Sequence, residues 1–458
     1  MLHGRNGPQR SQSASGVDEA LLGLHFGRLW RALKAEPAVF WALCFYVGVE
    51  YLRPQNIYPQ LDVLPWGQVT LAACLITWVL DGARTRSFYL MDILIVAFTG
   101  WWAYASVMAW DPAIAQEAWT GFASWLILYF IVTHVVVTRR RLLLFWLAFM
   151  LVHLKMSQHG ARTLIGRGFG FASWGATGSP VWFQNSGEFA MAMVIFLAMS
   201  WCLIGALRPY MGRRKYLLMV AVLPLTAAMS ILASSSRGGQ LAVLPVLVLL
   251  TGVSRRKIQG LLIGGLVFLL AWQFLPAEQK ARFETMGDDE TSQFRLTYWA
   301  DARATIRERP LLGVGYENWV PYYQAEMQGR PEEVHNTFLE AAVELGLPAA
   351  ALFVVMILNS FFVNRRTRWR ARRLGPWAGP LRAMTRGLDV AMVGLVVSSI
   401  FMSVLFWPVY WMAFGLTVAT SETTMRLSRR RNARVWAEKQ APSVALPTHA
   451  PAARVGAD

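Results

Sequence analysis

The stretch HNTFLEAAVELGLPAAALFVVMILNSFFVNRRTRWRARR, residues 335–373, decides the fold class. Its centre, 345–363, is apolar and long enough to cross about 30 Å of hydrocarbon as a helix rising 1.5 Å per residue. It closes on a dense run of arginines at 364–373 and opens beside a histidine and an asparagine. An apolar run sealed by arginine at one end reads as a membrane span whose basic end stays in the cytoplasm. His335 and Asn336 therefore stand at the opposite mouth, on the outer side.

Working outward, similar runs recur. The chain has 458 residues, 55% of them hydrophobic and only 16% charged, against about 25% charged in ordinary soluble domains. Spans are expected at 36–52, 64–80, 88–108, 117–137, 142–156, 185–206, 216–233, 239–253, 258–275, 345–363, 387–405 and 408–425. The expected fold class is thus an all-α polytopic membrane protein with about 12 transmembrane helices. A cytoplasmic segment, 1–35, precedes a membrane domain, 36–425. A basic and then disordered cytoplasmic tail, 426–458, follows. No early apolar run precedes a cleavage site, so no removable signal peptide is expected.

The net charge of +17 is a topological signal. With the N-terminus inside, 32 of the 44 Lys and Arg fall in inner segments, among them TRRR at 138–141, GRRK at 212–215 and RLSRRR at 426–431. Both termini are expected in the cytoplasm, and no nucleic-acid partner is needed to explain the charge. Two outer segments are long: 157–184, and 276–334 between the ninth and tenth spans, where short surface helices are expected. Cys44, Cys74 and Cys202 all lie in apolar runs, which implies neither a disulfide framework nor a metal site.

Few groups on the outer side could do chemistry. In ASSSRGGQLA, 233–242, serines and glycines interrupt helical continuity at Arg237. Bare backbone N–H groups beside a guanidinium suit an anion, and a plain turn with a snorkelling arginine is an equal alternative. Arg295 lies in a helix-like stretch, DDETSQFRLTYWADA, 288–302, with Phe294, Tyr298 and Ala302 near one face; a solvated surface helix explains it as well. Asp288, Asp289 and Glu290 read as a solvated helix start rather than a cation site. RPLLGVGYENWVPYY, 309–323, reads as a tight glycine turn and an aromatic surface, of the kind that lines membrane interfaces or stacks on sugars. Asn336 is a good N-cap for the helix entering the tenth span. That helix's positive end and nearby arginines would disfavour protonation of His335, leaving a neutral imidazole able to act as a general base. The bland reading is an interfacial histidine. Only His153 and His159, at the outer end of the fifth span, compete with it.

Over roughly residues 165–425 the sequence resembles the O-antigen ligase family of membrane glycosyltransferases, which includes lipopolysaccharide O-antigen ligases, related polymerases and protein O-glycosylation ligases. The matching pieces are His335-Asn336 followed after nine residues by Gly346, and Ser236-Arg237-Gly238 at a helix end. Ser292 to Arg295 then precedes Pro310-Leu-Leu-Gly313-Val-Gly315, and the turn WFQNSGEFA, 182–190, contains Asn185. After Gly346 the chain has LPAA where some ligases have Gly-Thr-Thr. The resemblance implies a glycan donor on undecaprenyl pyrophosphate at the periplasmic face of a bacterial inner membrane. It also implies a hydroxyl acceptor such as a lipid A–core sugar, His335 as base, and Arg237, Arg295, Asn336, Ser236 and Asn185 as substrate-binding residues. No cofactor and no metal are implied. Ligase, polymerase and protein O-glycosylation ligase all stay open. A transporter is a more distant alternative, disfavoured because no two-fold repeat of motifs is found.

Overall fold

A backbone in hydrocarbon has no water to satisfy its N–H and C=O groups, so apolar runs that enter a membrane close their hydrogen bonds as helices. The computed structural model describes residues 19–82, 86–170, 172, 174–252, 277–284, 290–330 and 332–440, with single residues 258, 262, 265 and 273 between them. Among the described residues there are helices and turns but no strand.

The chain begins with α1 (Phe26–Lys34), α2 (Ala38–Leu52), α3 (Trp66–Leu80), α4 (Leu90–Val107) and α5 (Pro112–Val135). It continues with α6 (Arg139–Gly166), α7 (Ser186–Leu207), α8 (Arg213–Ala233) and α9 (Arg237–Gly252). Then come three helices without long apolar runs, α10 (Ala277–Glu284), α11 (Glu290–Glu308) and α12 (Trp319–Glu326). The last three are α13 (Thr337–Ala371), α14 (Ala378–Ser399) and α15 (Pro408–Gln440). Six helices are long and apolar enough to cross a membrane, or seven if α1 and α2, bent by 116°, form one broken span. Two more, α3 and α9, are apolar but shorter.

Several boundaries differ from the sequence expectation. Helix α6 continues ten residues past the expected end at 156, so His159 sits on a helix rather than in a loop. Helix α15 runs to Gln440, well into the 426–458 tail that was expected to be basic and then disordered. In both cases hydropathy stops while helix-forming polar residues carry the backbone on. Most of the expected ninth span, 258–275, lies outside the described residues, as do Asp288, Asp289 and the tail 441–458.

Helix α14 packs closely against α7 and α9. A β-carbon on Gly387 would stand 3.2 Å from Met199 Cα, and one on Gly394 would meet Val194 and, at 2.9 Å, Val246. Two small residues two turns apart let the backbones approach, the usual currency of helix packing in membranes.

The long helix α13 is broken near its start. Gly346 has φ 82° and ψ 168°, a conformation essentially reserved for glycine. The break leaves carbonyls without helical partners, and the glycine turn before α12 supplies donors. Val314 N–H donates to Val343 O and Gly315 N–H to Glu344 O, both at 2.8 Å, while Leu347 N–H donates to Pro310 O at 2.8 Å. The Trp101 indole of α4 donates to Leu345 O at 3.0 Å. Gly313 and Gly315 have positive φ, and β-carbons there would collide with α13 and with Ala109. The Pro-x-x-Gly-x-Gly stretch is thus the backbone clamp of the α13 break.

The expected aromatic surface after it is a small core instead. Trp319, Tyr322 and Tyr323 are all buried, with Trp319 and Tyr323 packed beside Tyr298, Ala302 and Val334.

Candidate active site

Three helices begin around one short segment, residues 401–404, which links α14 to α15. Asn336 caps α13 by accepting from the N–H groups of Phe338 and Leu339 at 3.0 and 3.1 Å. Next to it, Thr337 Oγ1 donates to Met402 O at 2.7 Å and accepts from Val404 N–H at 3.0 Å. Asn185 caps α7, accepting from Gly187 N–H at 2.9 Å, while Glu188 accepts from Asn185 N–H at 3.2 Å to complete a capping box. A β-carbon on Gly187 would come within 3.0 Å of Met402 Sδ. Helix α9 begins at Arg237. There Ser236 Oγ accepts from Gly239 N–H at 3.3 Å, and a β-carbon on Gly238 would stand 3.2 Å from Phe401 Cβ. Ala190 of α7 fills the space where a β-carbon on Gly239 would lie. Each helix start carries roughly half a positive charge, so this is an electropositive corner built from backbone.

His335 sits at its rim, 27% exposed by side chain. Its φ of 51° lies in the left-handed region, a conformation costing about 1–3 kcal/mol for a residue with a β-carbon. Ser403 helps hold it, accepting from His335 N–H at 3.1 Å. Two carboxylates flank the ring: Glu332 lies 3.8 Å from Nε2 and Glu333 lies 3.9 Å from Nδ1. Loss of solvent around the ring and then the nearby charge of Arg295 lower the His335 pKa, against the opposing pull of Glu332. Surrounding protein, and then Glu317 and Glu332, push the Glu333 carboxyl up to about 7. Its side chain is still 60% exposed.

Arg295 belongs to α11 and is half-buried. One turn on, Trp299 donates its indole N–H to Val334 O at 3.0 Å, which fixes α11 beside His335. Of the sequence candidates, the structure gathers His335, Asn336 and Arg295 directly. It brings Ser236, Arg237 and Asn185 to the same 401–404 segment. His153 is buried, its Nδ1 2.9 Å from Phe149 O and its ring packed on Phe149 and Phe196. His159 is on the exposed side of α6.

Sequence reading missed Ser403, Thr337, Glu332, Glu333 and Glu188. The glutamates beside His335 and the Asn-x-x-Glu spacing of Asn185 and Glu188 were readable signals. Ser403, lying in an apolar-looking loop 68 residues from His335, gave none.

Residues 225–354 match a family model described as O-antigen ligase. That match supports the O-antigen ligase family for this segment. The matched range holds Ser236, Arg237, Arg295, His335, Asn336 and the break at Gly346, whereas Asn185 and the 401–404 segment fall outside it. A second model, described as a family of unknown function (DUF5935), matches residues 21–179. No curated protein matches the chain.

Proposed function

We propose that this chain is a multi-pass glycosyltransferase that moves a glycan from undecaprenyl pyrophosphate to an acceptor hydroxyl, such as a lipid A–core sugar, with inversion. The observation that carries the proposal is the convergence of three helix starts, one of them that of Arg237, on the segment beside His335, with the helix that carries Arg295 packed next to that histidine. Pyrophosphate is both handle and leaving group, and its charge grows as the glycosidic bond breaks. Arg237, Arg295 and the N–H groups at the starts of α7 and α9 would receive that charge without a metal. His335 would take the proton of the acceptor hydroxyl as its oxygen attacks the anomeric carbon from the face opposite the leaving group. The bond from that carbon to the pyrophosphate oxygen breaks, and the oxygen leaves with the electron pair. Asn336 and Ser403 position the imidazole, and Ser236 and Asn185 cap the helices that face the anion.

In this reading the chain crosses the bacterial inner membrane about twelve times, with both termini cytoplasmic and His335 periplasmic. Polymerase and protein O-glycosylation ligase readings keep the same donor chemistry and change only the acceptor. The test is transfer by purified protein in nanodiscs, given a lipid-pyrophosphate glycan and a panel of lipid A–core, glycan and peptide hydroxyl acceptors. Transfer that Arg237→Ala and Arg295→Ala each abolish supports the proposal. No transfer to any acceptor, or full transfer by both variants, removes it.

A further inference from the structure

Helix α1, FGRLWRALK, sits at the end of the molecule away from His335. Its place follows from α2, which runs beside α6 and in the same direction. Glu36, just before α2, accepts from Arg141 Nε at 2.7 Å and also from Arg140, both at the start of α6. Further along, Tyr51 of α2 packs on His153 of α6 with ring centroids 5.6 Å apart. The Tyr51 hydroxyl donates to Pro408 O at 3.3 Å, close to the 401–404 segment. Helix α6 is long and apolar enough to cross a membrane, so α2 beside it runs the depth of the bundle toward the site. Helix α1 is bent by 116° from α2 and so lies across the opposite end. Both ends of α1 are tied down. Glu36 holds the bend as described, and Lys215 Nζ, at the start of α8, donates to Gly23 O and Leu24 O at 2.7 and 2.6 Å.

Nine residues give α1 three sides, because positions three or four apart share a face. Leu29, Ala32 and Leu33 turn to the protein, with Ala32 buried and both leucines packed on the core. Phe26 and Trp30 stack on each other at 6.5 Å and are 81% and 42% exposed. Arg28 and Arg31 are exposed on the side opposite these two rings. Lys34 stands between the two sides, its Nζ 5.2 Å from the centre of the Trp30 ring. The aromatic side does not stop at the bend. Trp30 packs edge to face on Trp41 of α2 at 6.3 Å, and one turn further Phe45 is 57% exposed. The stripe thus turns the corner onto the outward face of an apolar helix in a bundle of spanning helices, a face that meets lipid. Arg213 and Arg214, exposed beside Lys215, add positive charge next to the start of α1, while the carboxylate of Glu36 is spent on Arg140 and Arg141.

We propose that α1 lies in the plane of the membrane surface at this end and docks on anionic phospholipid. Phe26 and Trp30 enter below the headgroups, Lys34 reaches the phosphates at that level, and Arg28 and Arg31 stay in water, drawn by the negative surface. Two observations choose this occupant. Exposed aromatics opposite arginines are the arrangement of a helix lying in an interface, and continuity with the lipid side of α2 sets Phe26 and Trp30 at the depth where aromatic rings of membrane proteins gather. The basic groups Arg28, Arg31, Lys34, Arg213 and Arg214 complement a negative headgroup layer.

The test is spin-label accessibility of the full chain in nanodiscs. Cys44, Cys74 and Cys202 are replaced by alanine, and one nitroxide-labelled cysteine is introduced by Phe26→Cys, Arg28→Cys, Trp30→Cys or Arg31→Cys. All four positions are exposed, so the buried side that seats α1 is kept. In phosphatidylcholine mixed with phosphatidylglycerol, labels at 26 and 30 should collide with dissolved oxygen and hardly with a water-soluble nickel chelate, and labels at 28 and 31 should do the reverse. In phosphatidylcholine alone, nickel contact at 26 and 30 should rise about fivefold or more, the worth of one basic residue at a charged surface. Arg28→Gln, Arg31→Gln and Lys34→Gln together should produce the same rise in the anionic mixture. Nickel contact at all four positions would place α1 in water, and protection of 26 and 30 from both reagents would mean that a second copy or residues 1–18 cover them. Either result overturns the proposal, as do readings that respond neither to phosphatidylglycerol nor to the triple substitution.

Discussion

Gly346→Ala is the sharpest structural perturbation the molecule offers. At φ 82° and ψ 168° alanine pays about 1–3 kcal/mol of backbone strain. Its β-carbon would also strike Leu311 O and lie 2.8 Å from Leu312 N, backbone that cannot rotate away. The cheapest relief is to straighten α13 across the break. That releases the bonds from Val314, Gly315 and Leu347, each worth about 1 kcal/mol. A net local loss of about 3 kcal/mol corresponds to roughly a hundredfold faster opening of the 310–319 clamp. Hydrogen exchange of peptides covering 310–319 should show that loss of protection, while peptides in α7 and α14 stay protected. Transfer activity should fall as well, because straightening moves Asn336 and His335 away from Ser403. Unchanged exchange at Val314 and Gly315 in a folded Gly346→Ala protein would refute the clamp.

Other expectations concern the site and its side of the membrane. Arg237→Lys and Arg295→Lys should each recover little of the transfer lost in the alanine variants, since lysine lacks the bidentate fork; near-wild-type rates would argue against a pyrophosphate contact. Transfer by the wild type should fall with acid, its midpoint below the ordinary histidine value of 6.5 because burial and Arg295 lower the His335 pKa. Glu333→Gln should slow transfer above pH 7, where the carboxylate is ionised and supports the imidazolium being formed, and change little at pH 6. A pH–rate profile of the two proteins checks both. A cysteine introduced in 276–334 should label with an impermeant thiol reagent from the periplasm, and one in 366–373 should not.

What the sequence made legible follows from local physics. Hydropathy marks where a backbone must close on itself: α2, α3, α4, α7, α9 and α15 begin within about two residues of the expected span starts, whereas α13 and α14 begin at Thr337 and Ala378, well before the expected 345 and 387, because a helix can start in polar sequence ahead of its apolar run. Asn185 and Asn336 announce helix starts because their short side chains can accept from the next turn. The α6 and α15 ends were hidden because polarity and helicity are separate properties: SQHGARTLIG at 157–166 is polar yet helical. The docking of Gly313 and Gly315 on the α13 break could not be read locally. It joins backbone groups about 30 residues apart, and glycines alone do not say what they approach. For the same reason Ser403 stayed invisible, although it holds the strained backbone of His335.

The claim that everything else serves is that His335 is the base of a transfer from a lipid pyrophosphate. It is tested most directly by single-turnover transfer with purified His335→Ala in nanodiscs, beside His153→Ala and His159→Ala, each with thermal stability matched to the wild type. A positioned general base is worth about 10²–10⁴-fold. His335→Ala should be slower by that factor with donor binding retained, and the other two should turn over normally. Wild-type turnover in His335→Ala, with loss in either of the other variants, would contradict the account.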